Sequence, residues 1–231
     1  MVNRLFTFRN DAGSVNGRRA MLRLAIMMWV MLSTPLVAGA WPRGKGDVFV
    51  VGYSYLVPSG TYSGIYGEWG LTDRLTFGLD LGRGVSGREK AILFVRAPLW
   101  SPGKGHRFAV ELGAGRIAGR DVLRPGLSYG KGFDWAGRTG WVALDAVAEI
   151  HTETLVIDGK ADLMLGLSVN ENRKLMIQLQ AGAQFGDAPF LRVVPSMTFA
   201  VSDRMKLEIG LSQSLRGERE AGIKAAIWLE F

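Results

Sequence analysis

Apolar and polar residues alternate one by one through repeated segments of about ten residues, from Trp41 to the end of the chain. The last segment, residues 220–231, is the clearest example: every odd position is apolar, and the even positions carry the charges of Glu220, Lys224 and Glu230. The side chains of a β-strand alternate between two faces, and about ten residues let a tilted strand cross a bilayer. The pattern therefore predicts a transmembrane β-barrel with apolar faces in lipid and polar faces in the lumen.

The number of alternating segments predicts the size of the barrel. Twelve can be traced, at residues 48–57, 62–71, 75–82, 90–99, 107–114, 122–130, 141–151, 161–170, 174–185, 191–201, 205–212 and 220–231. The predicted fold is all-β, a transmembrane antiparallel up-and-down β-barrel of about twelve strands, although the pattern also fits ten or fourteen. The main alternative is a secreted soluble β-sandwich. Its second face would carry more charge than the glycine-rich polar faces seen here.

Two segments contain a proline, Pro125 in one and Pro195 in the other. Proline cannot donate a hydrogen bond to a strand ladder, and a closed barrel has no free edge. Each proline therefore predicts a bulge, a strand end or a misplaced boundary.

The N-terminal region has the features of a secretory signal peptide. Arg18, Arg19 and Arg23 precede the apolar run 24–32, and residues 38–40, Ala-Gly-Ala, provide a small-x-small cleavage site. The apolar run is too short to span a membrane comfortably, so we prefer a cleaved leader to a membrane anchor. We predict a signal peptide at residues 1–40, with Met21 as an alternative start of translation, followed by a barrel domain at residues 41–231.

Charge and cysteine content argue against several classes of function. The leader carries five arginines and one aspartate, so only +3 of the whole-chain net charge of +7 belongs to the predicted barrel. No dense basic patch with interleaved aromatic residues remains, which argues against nucleic-acid binding. The chain has no cysteine, and its two histidines are far apart in sequence. Thiolate chemistry, a metal site and a cofactor are therefore not predicted.

The connections between segments predict the orientation of the barrel. An even number of strands places both ends of the barrel domain on the periplasmic side. Residues 72–74, 170–173 and 202–204 are rich in Asn, Asp, Ser and Thr and are predicted as periplasmic turns, whereas residues 83–89, 152–160 and 216–219 are predicted as external loops. An aromatic girdle is expected at the periplasmic interface, formed by Trp69, Trp100, Tyr129, Phe133, Trp135, Trp228 and Phe231.

These features together resemble bacterial outer-membrane β-barrel proteins, a porin-like superfamily, without matching a particular subfamily. The resemblance rests on the leader, the alternating strands, turns such as Thr72-Asp73-Arg74, and the terminal residues 227–231. Trp228 and Phe231 in that terminal sequence are similar to the assembly signal of the superfamily. The resemblance implies an outer-membrane location and insertion by the barrel-assembly machinery with periplasmic chaperones. It implies no particular substrate or oligomeric state.

Outer-membrane lipids and lipopolysaccharide are further expected partners. The basic residues expected at the external rim suit lipopolysaccharide phosphates, to which arginine can bond through two hydrogen bonds. They suit ordinary solvated loops equally well. The residues are Arg83, Arg88, Arg120, Lys160, Arg216 and Arg219.

Parity places charged residues of both signs inside the barrel. Opposite charges on neighbouring strands either pair and close the lumen, or line a narrow wet passage. Inward glycines remove bulk and favour a passage. We therefore predict a narrow passive channel for small solutes, with a non-transporting structural barrel as the alternative. The predicted pore-lining residues are Glu68, Asp80, Arg96, Glu111, Arg124, Asp145, Glu149, Asp162, Lys174, Lys206, Glu208 and Lys224.

A lipid-modifying outer-membrane enzyme is a third, less favoured alternative. His151 and Glu149 share one strand face, two residues apart, and are weak catalytic candidates. No local motif supplies a serine nucleophile, and a histidine in a polar barrel mouth needs no catalytic role. His106 is predicted to be a solvated turn residue. The sequence therefore leans against an enzyme.

Overall fold

The computed structural model describes residues 39–184, 188–217 and 219–231. They form one closed antiparallel barrel of twelve strands, in which each strand pairs with its neighbours in the chain and the first strand closes on the last. The predicted all-β barrel is confirmed, with twelve strands. Of the predicted signal peptide, residues 1–38 lie outside the described residues, and its removal stays a prediction. The strands are β1 (Val48–Val57), β2 (Gly60–Thr72), β3 (Leu75–Arg83), β4 (Glu89–Gly103), β5 (His106–Ile117), β6 (Arg120–Trp135), β7 (Arg138–His151), β8 (Ile157–Asn170), β9 (Arg173–Ala183), β10 (Phe190–Ser202), β11 (Met205–Arg216) and β12 (Ala221–Glu230).

The outer surface of the barrel carries an apolar band. An exposed apolar surface of this extent is rare on soluble proteins, and the outward alternation is that of a transmembrane barrel. No helix in the described ranges is long and apolar enough to cross a membrane. Exposed apolar side chains of the band include Ile65, Leu93, Leu112, Leu127, Leu165, Ile177, Ile209 and Ile227.

The two ends of the barrel differ in their connections. The terminal end, where β1 begins and β12 ends, has turns of two residues each, at 73–74, 104–105, 136–137, 171–172 and 203–204. Lys104, Gly105, Ala136 and Gly137 have positive φ, as in the tight hairpin turns whose twist matches that of the flanking strands. All three turns predicted as periplasmic lie at this end.

The opposite end, called the far end below, has longer connections at 84–88, 152–156, 184–189 and 217–220 beside two short ones. The prediction of a loop over 152–160 was wrong in its second half, because β8 begins at Ile157. Lys160 therefore belongs to a strand and not to an external loop. It points into the barrel, where its Nζ lies 2.8 Å from Oε2 of Glu149.

Pro125 and Pro195 each lie inside a continuous strand, so the three interpretations offered for them from the sequence were wrong. Between β6 and β7 the pairing passes from Leu123–Ile150 to Gly126–Val147 without a change of register. Pro195 keeps its place opposite Ile177 of β9, and the pairs with β11 on either side of it keep one register. Each proline thus interrupts the ladder with one neighbouring strand only, because the other neighbour does not need its missing N–H.

Aromatic side chains gather on the outside of the terminal end. Trp69, Trp100 and Trp135 are exposed there. The Phe108 ring stacks on Trp100 and contacts Tyr129. Such a cluster suits the interface between lipid and water.

Two residues at the terminal end differ from their predicted roles. Trp228 is not part of the outer girdle: it points into the barrel, and its Nε1 donates to Oε2 of Glu208 at 2.9 Å. His106 is not a solvated turn residue, because it begins β5 and its Nδ1 lies 3.0 Å from the hydroxyl of Tyr129. Parity had already assigned Trp228 to the inward face, and that assignment is the one the structure follows.

Candidate functional site in the barrel lumen

All twelve charged residues predicted to line the pore lie on the inward faces of their strands. Cross-strand partners point to the same side of a sheet, so parity and register together fix this placement. Asp145, Asp162, Lys174 and Lys206 are half-buried. The other eight are buried: Glu68, Asp80, Arg96, Glu111, Arg124, Glu149, Glu208 and Lys224.

Arg96 lies at the centre of a lattice of ion pairs on the β2–β6 side of the lumen. Its guanidinium donates to Glu68 of β2 and, from Nη2 at 2.7 Å, to Oε2 of Glu111 on β5. The Tyr66 hydroxyl accepts from Nη2 of Arg96 at 3.1 Å and donates to Oε1 of Glu68 at 2.7 Å. One buried cation therefore joins two buried carboxylates and a phenol across four strands.

Arg124 extends the lattice to the next strand. Its Nη2 lies 2.8 Å from Oε1 of Glu111, and its Nη1 lies 2.6 Å from Oδ2 of Asp80 on β3. Lys90 of β4 approaches the same Asp80 oxygen at 2.7 Å. We call Glu68, Asp80, Lys90, Arg96, Glu111 and Arg124 the arginine lattice.

The ring of Phe94 fills the space beside the lattice. The guanidinium carbons of Arg96 and Arg124 both lie 5.1 Å from its centroid, a distance at which a cation and an aromatic face attract. Gly78 is the cross-strand partner of Phe94, and a Cβ on Gly78 would overlap the ring. This glycine makes room for an aromatic side chain and not for solute. The same holds for Gly166 under Trp141, which weakens the sequence argument that inward glycines open a passage.

A stretch of chain before β1, residues 39–47, packs against the inner wall on the lattice side. We call it the inner segment. Arg43 binds the lattice through Nε, 2.6 Å from Oε2 of Glu68, and its backbone N–H donates to Oγ1 of Thr76 at 3.2 Å. Gly46 donates from its backbone to the carbonyl of Gly70 at 2.8 Å. The inner segment and the arginine lattice together fill this side of the terminal end.

Smaller clusters occupy other parts of the wall. Lys224 of β12 lies 2.7 Å from Oε1 of Glu208 on β11, and Trp228 binds the other oxygen of that carboxylate. Lys206 and Glu230 pair at 2.8 Å near the terminal end. The closing strand is thus fastened to β11 on the inside by two ion pairs as well as by its backbone.

His151 and Glu149, the weak catalytic candidates, do not bond to each other. Nε2 of His151 lies 3.2 Å from Oδ2 of Asp158 on β8, while Glu149 pairs with Lys160. Nδ1 of His151 is buried and has no hydrogen-bond partner among the described residues. Among the described residues neither ring nitrogen meets a serine hydroxyl, so a nucleophile–base pair is not seen around His151 there.

A row of polar side chains remains partly open to solvent on the opposite wall, along β7–β10. The register places Asp145 opposite Asp162, Asp162 opposite Gln180, and Gln180 opposite Arg192. All four are half-buried. We call them the polar row. Among the described residues, none of its three charged members takes part in an ion pair; Arg192 instead lies over the Tyr55 ring, 5.5 Å from its centroid.

At the far end the lumen widens into a cavity of about 430 Å³. Its lining carries both signs of charge, with Arg120, Lys90 and Lys160 on one hand and Glu89 and Asp158 on the other. Lys90 and Lys160 are already paired with Asp80 and Glu149. The cavity is therefore a polar recess at the far end, lined by groups of both charges. No group of three or more His, Asp or Glu side chains in the described ranges could hold a metal ion.

The sequence matches no protein-family model and no curated protein, but the barrel resembles several solved structures. The KdgM porin superposes with a TM-score of 0.60 at 4% identity, covering 79% of this chain and 99% of the porin. The NanC porin gives 0.60 at 6% identity, over 79% of this chain and 98% of the porin. An outer-membrane channel from Pseudomonas putida F1 gives 0.55 at 14% identity, over 86% of this chain and 99% of the channel. The chain has the fold of a porin-like outer-membrane β-barrel.

Sequence reasoning missed several residues that shape the lumen of this outer-membrane-type barrel. Gln180 and Arg192 lie at inward positions of predicted strands, and parity alone identifies them as members of the inner wall. Arg43 and Asp158 were assigned to no strand, so no parity rule applied to them. Their partners, the Glu68 carboxylate for Arg43 and the His151 imidazole for Asp158, become visible only when the register is known.

Proposed function

We propose that the chain is a narrow passive channel for small solutes in the bacterial outer membrane. The polar row carries this proposal, because it is a stretch of inner wall at mid-barrel whose side chains stay partly accessible to solvent. The fold shared with porins and an outer-membrane channel supports it. The apolar outer band supports the membrane location.

The passage is expected to be narrow because side chains and the inner segment fill part of the lumen. The arginine lattice, Phe94 and the inner segment occupy the β2–β6 side, where the inward residues are buried. We propose that the remaining passage joins the far-end cavity to the polar row. Lys174 lies further towards the terminal end, with its Nζ 5.4 Å from the centroid of the Trp141 ring. Solutes would thus meet hydrogen-bonding groups of both charges in a confined space.

Substituted-cysteine labelling tests this route. Because the chain has no native cysteine, a thiol reagent can react only with the introduced one. The Gln180→Cys variant, reconstituted in a planar bilayer, is expected to conduct and then to lose roughly half or more of its conductance when a bulky thiol reagent is added. The reason is that the adduct fills part of the proposed passage, and pore diameter limits ion flow.

Thr76→Cys is the matched control. Thr76 also points inward, but it is buried under the inner segment and hydrogen-bonded to it. Reagent should leave its conductance unchanged. A bilayer that stays silent with the wild-type protein would instead support the non-transporting structural barrel. Equal block at both positions would place the passage elsewhere.

The unpaired charges of the polar row are expected to set the ion preference of the passage. Arg192→Gln removes a cation and should shift the reversal potential in a salt gradient towards cation selectivity. Asp162→Asn should shift it the opposite way, because both side chains are half-buried and neither takes part in an ion pair among the described residues. Lys206→Gln, in a residue already paired with Glu230, is the comparison. A shift of the same sign for Arg192→Gln and Asp162→Asn would refute the assignment.

A further inference from the structure

The inner segment brings backbone directly against the carboxylate of Asp145. A Cβ on Gly39 would overlap the Asp145 carboxylate, and Ala40, the next residue, is only 1% exposed. The ring of Trp41 lies on Gly130 of β6 so closely that a Cβ there would overlap it. The junction between residues 40 and 41, where the leader is predicted to be cut, therefore lies inside the barrel and beside an acidic group.

Asp145 lacks a cationic partner in this arrangement. Its Oδ1 accepts a hydrogen bond from the Ser128 hydroxyl, but Asp145 appears in none of the ion pairs of the described residues. Its cross-strand neighbour on β8 is another carboxylate, Asp162. A half-buried negative charge beside a like charge is costly unless a cation compensates it. By contrast, Glu68, Asp80, Glu111, Glu149, Glu208 and Glu230 on the inner wall each pair with a lysine or arginine.

We propose that Asp145 is the binding site for the α-ammonium group that signal-peptide removal creates on Trp41. The proposal rests on the predicted cleavage after residue 40, and not on channel activity. Hydrolysis of the peptide bond between Ala40 and Trp41 consumes one water, leaves a carboxylate on the released leader and an amine on Trp41, and that amine takes up a proton. In the processed chain residues 39 and 40 are absent, so the buried space that they hold is free for the amine.

The register supports the distance that this pairing requires. Ser128 lies opposite Asp145, and Gly130, the seat of the Trp41 ring, lies opposite Ala143. Asp145 and the position that contacts the Trp41 ring are thus two residues apart along the strands, about 7 Å. The backbone nitrogen of Trp41 is separated from Gly39, which touches Asp145, by a single residue. A freed N-terminus can reach the carboxylate without unseating the ring.

In the processed chain the pairing would hold the inner segment at two points, Trp41 and Arg43. Arg43 on Glu68 fastens the segment to the arginine lattice, and the α-ammonium group on Asp145 would fasten its start to β7. Processing would then do more than release the leader: it would add a cation to the inner wall beside Asp145.

Chemical labelling of the N-terminal amine tests the proposal on the exported, detergent-purified barrel. Mass spectrometry first establishes Trp41 as the N-terminus; another first residue overturns the proposal. The folded protein is then acylated at neutral pH and the N-terminal peptide is quantified. Acylation of Trp41 should be about tenfold or more slower than in the urea-unfolded chain, the factor that a charge-assisted hydrogen bond provides. Equal rates in the two states would also overturn it.

Asp145→Asn should raise the labelling rate of the folded barrel towards that of the unfolded chain. Asp162→Asn, in the acidic residue directly opposite, should not, and equal acceleration by both variants would contradict the assignment to Asp145. If Asp145→Asn fails to fold, Gly130→Leu provides a second route, because its side chain would displace the Trp41 ring. Gly132→Leu is its control, since a Cβ on Gly132 meets nothing closer than 4.0 Å. Unchanged labelling in Gly130→Leu would likewise overturn the proposal.

Labelling is independent of conductance. A silent bilayer would remove the proposed channel function and leave these rates interpretable, whereas a fast-labelling Trp41 would remove the Asp145 site and leave the channel untouched.

Discussion

Replacing Arg96 with methionine is expected to lower the free energy of unfolding by about 3–5 kcal/mol, the range for breaking a buried ion pair from one side. Methionine keeps most of the stem volume, so the loss comes from charge and not from a cavity. Glu68 and Glu111 would each lose a guanidinium partner while remaining buried. Unfolding in urea from lipid vesicles, followed by tryptophan fluorescence, measures the change.

Arg192→Met is the matched control for this substitution. Both arginines point into the lumen from β-strands, but Arg192 is half-buried and contacts an aromatic ring in place of a carboxylate. Its loss is expected to cost about 1 kcal/mol or less, as for weakly coupled surface charges. Similar losses for the two variants would show that the arginine lattice does not stabilise the barrel.

The contrast between these two arginines extends to the walls that carry them: ion pairs cross-link the lattice side, whereas the polar row has none among the described residues. Across β2–β6, carboxylates and cations alternate at similar positions along the barrel axis. Each arginine of the lattice therefore pairs with two acidic side chains. Along β7–β10 the order is acid, acid, amide, cation. Like charges that lie opposite each other repel, and the amide separates Asp162 from Arg192. The charges of the polar row therefore stay unpaired among the described residues, and its four side chains stay partly accessible to solvent.

The fold was readable from the sequence because a strand's two faces meet different environments. Segments such as 75–82 and 205–212 alternate without exception between outward apolar and inward polar or small residues. Both form strands whose ends lie within a few residues of the predicted bounds. Even Ile92 and Phe94, which are apolar, were assigned inward by parity and are buried there. Tyr55 and Tyr62 face each other inside the barrel for the same reason. Whether a side chain points inward or outward depends only on its position in the alternating pattern of its own strand.

The pairing inside the lumen was not readable in this way. Parity places Arg96 inside, but whether it meets Glu68, 28 positions away in the chain, depends on the register of two intervening hairpins. The inner segment has no alternation to detect, since it forms no strand and its contacts are made by backbone, by Arg43 and by the ring of Trp41. Inward glycines were ambiguous as well, because a missing side chain looks the same in sequence whether water or a neighbouring ring takes its place.

Deleting Phe231 is expected to remove most of the protein from the outer membrane of cells, and to leave its folding into lipid vesicles from urea nearly unchanged. Phe231 closes the seam between first and last strands: its N–H donates to the carbonyl of Val48, and its carbonyl accepts from the N–H of Val48, both at 3.0 Å. Its ring is 62% exposed and packs little against the barrel. Two backbone hydrogen bonds at a strand end are worth about 1–3 kcal/mol, which a barrel closed by the whole β1–β12 ladder can lose.

The exposed ring is instead available to the assembly machinery that the terminal sequence is predicted to engage. Phe231→Tyr keeps the ring and both backbone bonds and should restore normal levels, as judged by the heat-modifiable band in outer-membrane fractions. Trp228→Phe is the complementary test of stability against assembly, because Trp228 points inward and binds Glu208. This substitution should lower the stability of the folded barrel and leave its delivery to the outer membrane unchanged. Normal outer-membrane levels of the Phe231 deletion, or equal failure in cells and in vesicles, would show that the last residue matters for stability alone.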